Sequence, residues 1–296
     1  MVNDAFSKRH PLVNFVFFLG AIGVGAVVQH PAYLAAGVVC GAVYCALLLG
    51  RRGFKLFGAA AALFVVLTLL NPLFNTYGQR ILFHLFGRPY TLEALYYGAA
   101  CGAVLTVMLM WFACYSAVLT SDKFTSLFGN FIPALSLLLV MVLRLIPNLM
   151  RKAAQFIDAR RSIGKGAQEG QSNRQKIRDG MTVLSALTDW ALEGSIVTGD
   201  SMRSRGYGSG RRTSFMIYRL AGADIALLGL ELSLLAAVIW ALAAGAAQAS
   251  YTPELIITPL AGANALGFGA YLIFLLIPTV LHIQEVLQWH ISRSGI

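Results

Sequence analysis

Long runs of apolar residues separated by short polar breaks dominate the pattern of this 296-residue chain. A bilayer core of about 30 Å is crossed by about 20 apolar residues in a helix, so runs of this length predict membrane-spanning helices. The middle of the chain instead has an amphipathic pattern. The predicted spans, with bounds set by charged or turn-forming residues, are 12–28, 31–49, 56–73, 94–119, 217–247 and 265–287.

One further apolar segment, residues 127–150, is long enough to span but contains Pro133, Arg144 and Pro147. If this segment crossed the membrane, residues 151–212 would lie on the outer side. These residues include twelve Lys and Arg against six Asp and Glu. Basic residues near span ends favour the cytoplasmic side, and a mid-bilayer arginine is costly. We therefore predict a non-spanning helix on the inner side. The result is four spans, a cytoplasmic helical region and two spans, with both termini cytoplasmic.

The cytoplasmic region is predicted to contain two helices that both end in arginine and glycine. The first runs from Arg151 to about Ile163, before a glycine-rich stretch. In the second, which runs from Lys176 to about Arg203 and stops at Gly206, apolar residues recur at spacings of three and four, as in an amphipathic helix. These apolar residues are Ile177, Met181, Leu184, Leu187 and Ala191.

The arginines at the two helix ends differ in their local partners. Arg161 and Arg203 each follow an aspartate, Asp158 and Asp200, by three residues, a spacing that allows an ion pair on a helix.

Arg160 and Arg205 have no acid at that spacing, so we expect free guanidinium groups there. A free guanidinium beside glycine suits docking into an acidic groove of a partner protein, and solvated positive-inside charge is the alternative. Arg211 and Arg212 are expected to hold the inner end of the next span.

Composition and charge restrict the class of protein. The chain is 57% hydrophobic, too apolar for a soluble protein of this size. Its formal charge of +10 fits the positive-inside rule, so no nucleic-acid partner is expected. The four cysteines lie in apolar stretches without metal-site spacing, and Gly164-Lys165-Gly166 lacks the remaining residues of a phosphate-binding loop. We predict no cofactor, no metal site and no catalysis.

Three stretches, in this order, resemble one family: KRHPLVNFVFFLGAIGVGAVVQHP at residues 8–31, LRLIPNLMRKAAQFIDARRSIG at residues 143–164, and TDWALEGSIVTGDSMRSRGYGSGRRT at residues 188–213. They are similar to the opening span and the two coupling helices of the transmembrane T component of energy-coupling factor (ECF) transporters, the EcfT/CbiQ family. The resemblance covers most of the chain. It implies an all-α integral membrane protein with about six transmembrane helices plus a cytoplasmic coupling region of crossed amphipathic helices.

The family's function, carried over by resemblance, is that of a scaffold in an ABC-type importer. It implies two cytoplasmic ATPase partners and a separate small substrate-binding membrane subunit that takes up a micronutrient, either a vitamin or a metal ion. The resemblance also implies that the ATPases bind two Ala-Arg-Gly-type motifs at the helix tips. The second corresponds to Ser204-Arg205-Gly206. The first corresponds to Ala159-Arg160-Arg161, which we prefer on charge, or to Ser162-Ile163-Gly164.

Some features leave alternatives open. Glu231 lies within a predicted span and is a candidate for contact with Arg144 or a partner subunit. It is equally the residue on which a stand-alone secondary transporter or a membrane-embedded enzyme would depend. The GxxxG patterns at residues 37–41 and 98–102 predict close helix packing, with specific docking as the alternative. The expected domains are 1–126, 127–213 and 214–296, in the cell membrane.

Overall fold

The computed structural model describes residues 4–75, 78, 80–85, 88–128, 133–165, 172–210, 220–251 and 255–294. It divides the chain into two compact units, residues 1–124 with 218–296, and residues 125–217. The N- and C-terminal membrane segments that we predicted as separate domains thus belong to one unit. The second unit is inserted between them in the sequence.

Helices make up most of both units. The elements in chain order are α1 (Pro11–Val27), α2 (Pro31–Leu49), α3 (Arg51–Phe74), β1 (Ile81–Leu85), β2 (Arg88–Thr91), α4 (Leu92–Val118), α5 (Ser121–Phe128), α6 (Pro133–Ser162), α7 (Asn173–Ser204), α8 (Gly222–Ala243), β3 (Ala249–Ser250), β4 (Ile256–Ile257) and α9 (Ala263–Ser294). Among the described residues, α2, α3, α4, α8 and α9 are long and apolar enough to span a bilayer, and α1 is a shorter apolar helix. The prediction of a helical membrane protein is confirmed.

Two local predictions were wrong. Residues 51–55, expected in an inner loop, form the first turn of α3, because Gly50 adopts a φ of +54° and turns the chain directly out of α2. Two antiparallel β-ribbons, β1–β2 and β3–β4, lie between predicted spans, whereas the sequence was predicted to form helices only. The α6 helix continues through Pro147 without a break.

Each His-Pro pair starts a helix of the first unit. The Nδ1 atoms of His10 and His30 accept hydrogen bonds from the backbone N–H groups of Leu12 and Ala32, at 3.2 and 3.3 Å. The following proline occupies the first helical position, where its missing N–H costs nothing. These two histidines therefore act as N-caps.

The core of the first unit is aromatic and joins helices from both ends of the chain. Phe17 on α1 stacks on Phe274 of α9, with ring centroids 4.9 Å apart, and meets Trp111 of α4 edge-on at 5.5 Å. The indole N–H of Trp111 donates to the carbonyl of Gly37 on α2 at 3.2 Å. The α8 helix packs against α1 and α9. The core therefore depends on both halves of the first unit.

Both GxxxG patterns lie at helix contacts, as the packing interpretation predicts. A Cβ atom at Gly98 would come within 2.7 Å of the Asn71 Cβ and 3.0 Å of the Thr68 carbonyl oxygen on α3. At Gly37 it would come within 3.0 Å of a Val107 methyl group on α4. The small residues thus allow α2 and α3 to approach α4 closely.

Candidate functional site

The tip of α6 is closed by a glycine in the left-handed conformation. Gly164 has a φ of +71°. Its N–H donates to the carbonyl of Arg161 at 3.0 Å, and the N–H of Lys165 donates to the carbonyl of Arg160 at 2.9 Å. This pair of bonds is a Schellman cap.

The tip of α7 has the same cap. Gly206 has a φ of +81°, its N–H donates to the carbonyl of Arg203 at 3.0 Å, and the N–H of Tyr207 donates to the carbonyl of Met202 at 3.0 Å. Matching the caps aligns Ser162-Ile163-Gly164 with Ser204-Arg205-Gly206. The matching backbone geometry favours the alternative that we had ranked second, and the register of the first motif stays a prediction.

Arg160 is not a free guanidinium, in contrast to our expectation. Its Nη2 atom lies 2.6 Å from Oδ1 of Asp179 on α7, and its Nε donates to the carbonyl of Lys165 at 3.3 Å. Both side chains of the ion pair are about four-fifths covered, at 21% and 23% exposure. The sequence could not show this partner, because it lies nineteen residues away on another helix. Arg160 joins α6 to α7.

A second contact extends this helix pair. The ammonium of Lys152 on α6 lies 5.6 Å from the centre of the Trp190 ring on α7, a cation–π distance. Lys152 precedes Arg160 on α6, whereas Trp190 follows Asp179 on α7, so the two helices run in opposite directions along this contact. The two contacts fix the α6–α7 pairing over about two turns of α6.

Of the two local ion pairs predicted at the helix tips, the described residues form the one on α6 and not the one on α7. Arg161 pairs with Asp158 at 3.8 Å, as its spacing predicts, and both side chains are largely exposed. No corresponding ion pair joins Asp200 and Arg203, although the structure describes both residues. Arg205, Ser204 and Gly206 are exposed at the end of α7. Arg211 and Arg212 lie outside the described residues.

The helices of the second unit have unusually exposed apolar surfaces. None of the described side chains of α7 is buried, and Met150 of α6 is 70% exposed. Apolar residues on helices normally pack against other apolar groups, so extended exposure of this kind marks an interaction surface or contact with lipid. The exposed apolar side chains include Leu145, Ile146, Met150 and Ile157 of α6 and Ile177, Met181, Leu184, Leu192, Ile196 and Val197 of α7.

Arg144 and Glu231, the predicted polar contacts, belong to different units. Arg144 is exposed on α6 of the second unit. Glu231 on α8 of the first unit is fully buried, and neither carboxylate oxygen has a hydrogen-bond partner among the described residues. A partnerless buried carboxyl group is costly, so Glu231 has no evident role in stabilising the fold. Their mutual contact stays a prediction.

A polar cluster around Asp4 was not predicted from the sequence. The buried Asp4 carboxylate accepts from the Tyr44 hydroxyl at 2.7 Å and lies 2.8 Å from Nδ1 of His282. Nearby residues of the same segment pair with the C-terminal helices, Lys8 with Glu285 at 2.5 Å on α9 and Arg9 with Asp224 at 3.6 Å on α8. An acid near a chain end gives no pattern by which sequence reading could identify these partners.

Lys123, in the first turn of α5, contacts the same N-terminal segment. Its ammonium donates to the Ser7 carbonyl, to the Ser7 hydroxyl at 3.1 Å and to the Val118 carbonyl at 3.0 Å. Burial lowers the pKa of Lys123, and the neighbouring Asp4 carboxylate opposes this shift. The N-terminal segment thus connects α2, α5, α8 and α9 at one end of the bundle.

The opposite end of the bundle is held by a different set of bonds. The Nε2 atom of His30 lies 3.0 Å from the carbonyl of Thr258, and the Tyr251 hydroxyl donates to the carbonyl of Gln29 at 2.7 Å. The α1–α2 and α8–α9 connections therefore meet at this end. Lys123 and Asp224 both lie at the Asp4 end of the first unit.

The described residues contain no group of three or more His, Cys, Asp or Glu side chains that could hold a metal ion. Neither a scan against protein-family models nor a search of curated proteins found a match. The functional interpretation therefore depends on the geometry above and on the resemblance of the sequence motifs.

Proposed function

We propose that this chain is the transmembrane coupling subunit of an ECF-type ABC importer in the cell membrane. One observation carries the proposal: two long helices of the second unit, α6 and α7, end in the same Schellman cap, each preceded by arginines. A membrane scaffold that binds two similar ATPases needs two similar exposed helix ends. The chain itself is not a catalyst.

Six membrane crossings follow from this proposal, formed by α1 to α4, α8 and α9. In this proposal both connections to the second unit lie on one side of the membrane, which is supported by the contacts of Ser7 with Lys123 and of Arg9 with Asp224 at one end of the bundle. The second unit must then make an even number of crossings, and none is the simplest case. Its arginine tips would lie in the cytoplasm with both chain termini, where the ATPases bind ATP.

The two caps support a choice of docking residues in this proposal. Arg205 and Gly206 form the main tip, with Ser204 beside them, and Ser162-Ile163-Gly164 is the matching tip on α6. Ala159, Arg160 and Arg161 lie one turn earlier, and Arg160 serves chiefly to hold α6 to α7. The exposed apolar faces of both helices would receive the small substrate-binding membrane subunit, which selects the vitamin or metal ion.

Transmission of force is the mechanism in this proposal. Closure of two ATPases on ATP would move the two tips together, and the Arg160–Asp179 and Lys152–Trp190 contacts would make α6 and α7 respond as a pair. Because both ends of the second unit are connected to the bundle, movement of the helix pair reaches the membrane. The partner subunit on their apolar faces would then be reoriented.

Affinity purification of the tagged chain from gently solubilised membranes tests the proposal. We expect two ABC-type ATPases and a small apolar protein to co-purify. Arg205→Glu should lower ATPase recovery roughly tenfold or more, the scale of a central interface arginine. Arg178→Glu, the same charge change on an exposed part of α7, is the matched control and should leave recovery unchanged.

A charge exchange separates the two roles considered for Arg160. If it holds α6 to α7, Arg160→Asp should weaken ATPase recovery and Arg160→Asp combined with Asp179→Arg should restore it. If Arg160 itself docks into the ATPase, the double variant should stay defective. Recovery of the chain alone, with Arg205→Glu behaving as wild type, would instead favour a stand-alone transporter or enzyme that uses the buried Glu231.

A further inference from the structure

A basic cluster lies at the start of α3, one residue after α2 ends. Arg51, Arg52 and Lys55 are all exposed, and none forms an ion pair with another described residue. Together with Phe54, which is 68% exposed, they line a recess of about 490 Å³. Three unneutralised cations around an exposed aromatic ring form a surface suited to an anionic group at the membrane interface.

A large apolar groove lies further along the same helix. It has a volume of about 740 Å³ and is formed by α2, α3, α4 and the β3–β4 connection. Phe57, Ala61 and Phe64 of α3 form one wall, and Ala99 and Ala103 of α4 contribute small side chains. Thr106 is a polar residue in the lining, and its hydroxyl already donates to the carbonyl of Gly102. The surface that lines the groove is therefore almost entirely hydrocarbon.

A continuous row of neighbouring side chains joins the recess to the groove. Arg51, Phe54, Phe57, Ala61 and Phe64 follow one another at spacings of three or four residues, so each is adjacent to the next on the helix surface. Along the helix axis, Phe64 lies about 20 Å beyond Arg51. One leaflet of a bilayer core is about 15 Å deep, so the row extends from the headgroup level past the acyl-chain ends of that leaflet.

We propose that this surface binds one anionic phospholipid of the inner leaflet. Its phosphate lies among Arg51, Arg52 and Lys55, and an acyl chain follows Phe54 and Phe57 to the near end of the groove beside Ala61. The far end of the groove lies at the opposite end of the bundle and is lined by Pro31, Tyr251 and Ile257. The positive-inside rule alone would explain the three cations. It does not explain why a row of aromatic residues leads from them to an apolar groove. A partner helix could fill the groove, yet it would leave the basic recess without a counter-charge.

Native mass spectrometry of the purified chain, after delipidation and addition of single lipids, tests this proposal. Phosphatidylglycerol and phosphatidylcholine with identical acyl chains are compared. We expect phosphatidylglycerol to bind about tenfold more tightly, since each basic residue near a lipid surface contributes appreciably. The triple variant Arg51→Ala, Arg52→Ala, Lys55→Ala should lose this preference.

Charge removal elsewhere supplies the control. The triple variant Arg174→Ala, Lys176→Ala, Arg178→Ala removes the same charge from α7 and should retain the preference for phosphatidylglycerol. Equal loss in both triple variants would overturn the proposal, because it would show general attraction to a basic protein.

A groove-filling variant tests the acyl chain separately. Ala61→Trp should weaken binding of long-chain phosphatidylglycerol several-fold and leave a short-chain form unaffected, with folding checked by circular dichroism and gel filtration. Unchanged long-chain binding would overturn the placement of the acyl chain. If Ala61→Trp instead releases a co-purifying membrane protein while lipid binding stays the same, a partner helix occupies the groove. These outcomes do not depend on ATPase docking, so they test the lipid site apart from the importer proposal.

Discussion

Two buried acids of the first unit illustrate how similar residues differ in their surroundings. Asp4 accepts hydrogen bonds from two side chains on other helices, which offset the cost of removing its charge from water. Glu231 is equally buried, but its oxygens have no partner among the described residues. Asp4 therefore contributes to stability. Glu231 lowers stability unless a partner subunit or substrate contacts it.

Replacing Asp4 with asparagine should destabilise the first unit. Asparagine keeps the shape but removes the charge that faces His282 and Tyr44, so we expect a loss of about 1.5–3 kcal/mol, the scale of a hydrogen bond to a charged group. Thermal unfolding in detergent micelles measures the change. Glu285→Gln, which removes the partly exposed ion pair with Lys8, is the control and should cost under about 1 kcal/mol. A smaller effect at Asp4 than at Glu285 would contradict this account.

At the scale of elements, hydrophobic runs predicted the helices well because a membrane imposes length and apolar composition directly. The span 31–49 was predicted with the bounds that α2 has. The predictions failed where one residue or a distant partner decides the structure. Gly50 alone converts an expected loop into a helix start, and Asp179 occupies the guanidinium of Arg160.

Gly98 should not tolerate a methyl group, because the atoms facing it include the α3 backbone. The Thr68 carbonyl oxygen and Cα lie 3.0 and 3.2 Å from an added Cβ, too close without a shift of the helix. We expect Gly98→Ala to destabilise the chain by about 1–3 kcal/mol. Thermal unfolding in detergent measures this. Gly58→Ala on α3 is the control, since no atom lies within 4 Å of its added Cβ, and it should be neutral or slightly stabilising.

At the scale of the whole molecule, the bundle has two chemically different ends. One carries the Asp4 cluster with Lys123 and Asp224 nearby, and the other carries the His30–Thr258 contact. The six spans predicted from the sequence stay a prediction, and no pattern in the sequence indicated which connections meet. Such contacts join residues more than 200 positions apart, beyond the reach of any local pattern.

Cysteine labelling in intact cells tests this arrangement in the membrane. In a Cys101→Ala background, we expect Gln29→Cys and Leu260→Cys to react with an impermeant maleimide added outside. Arg52→Cys and Arg178→Cys should react only after the membrane is opened, because both are predicted to be cytoplasmic. Labelling of Arg178→Cys from outside would contradict the cytoplasmic position of the second unit.

The Asp4–His282 contact also determines when the bundle can be completed during synthesis. The two residues are 278 positions apart. At about 5–20 residues per second, a ribosome adds His282 roughly 15–55 s after Asp4. Throughout that interval the N-terminal segment lacks its partners on α8 and α9, and Phe17 lacks the Phe274 ring on which it stacks. Until α9 has been synthesised, α1 to α4 therefore lack these contacts, and any protease or chaperone that acts on the growing chain encounters an incomplete bundle.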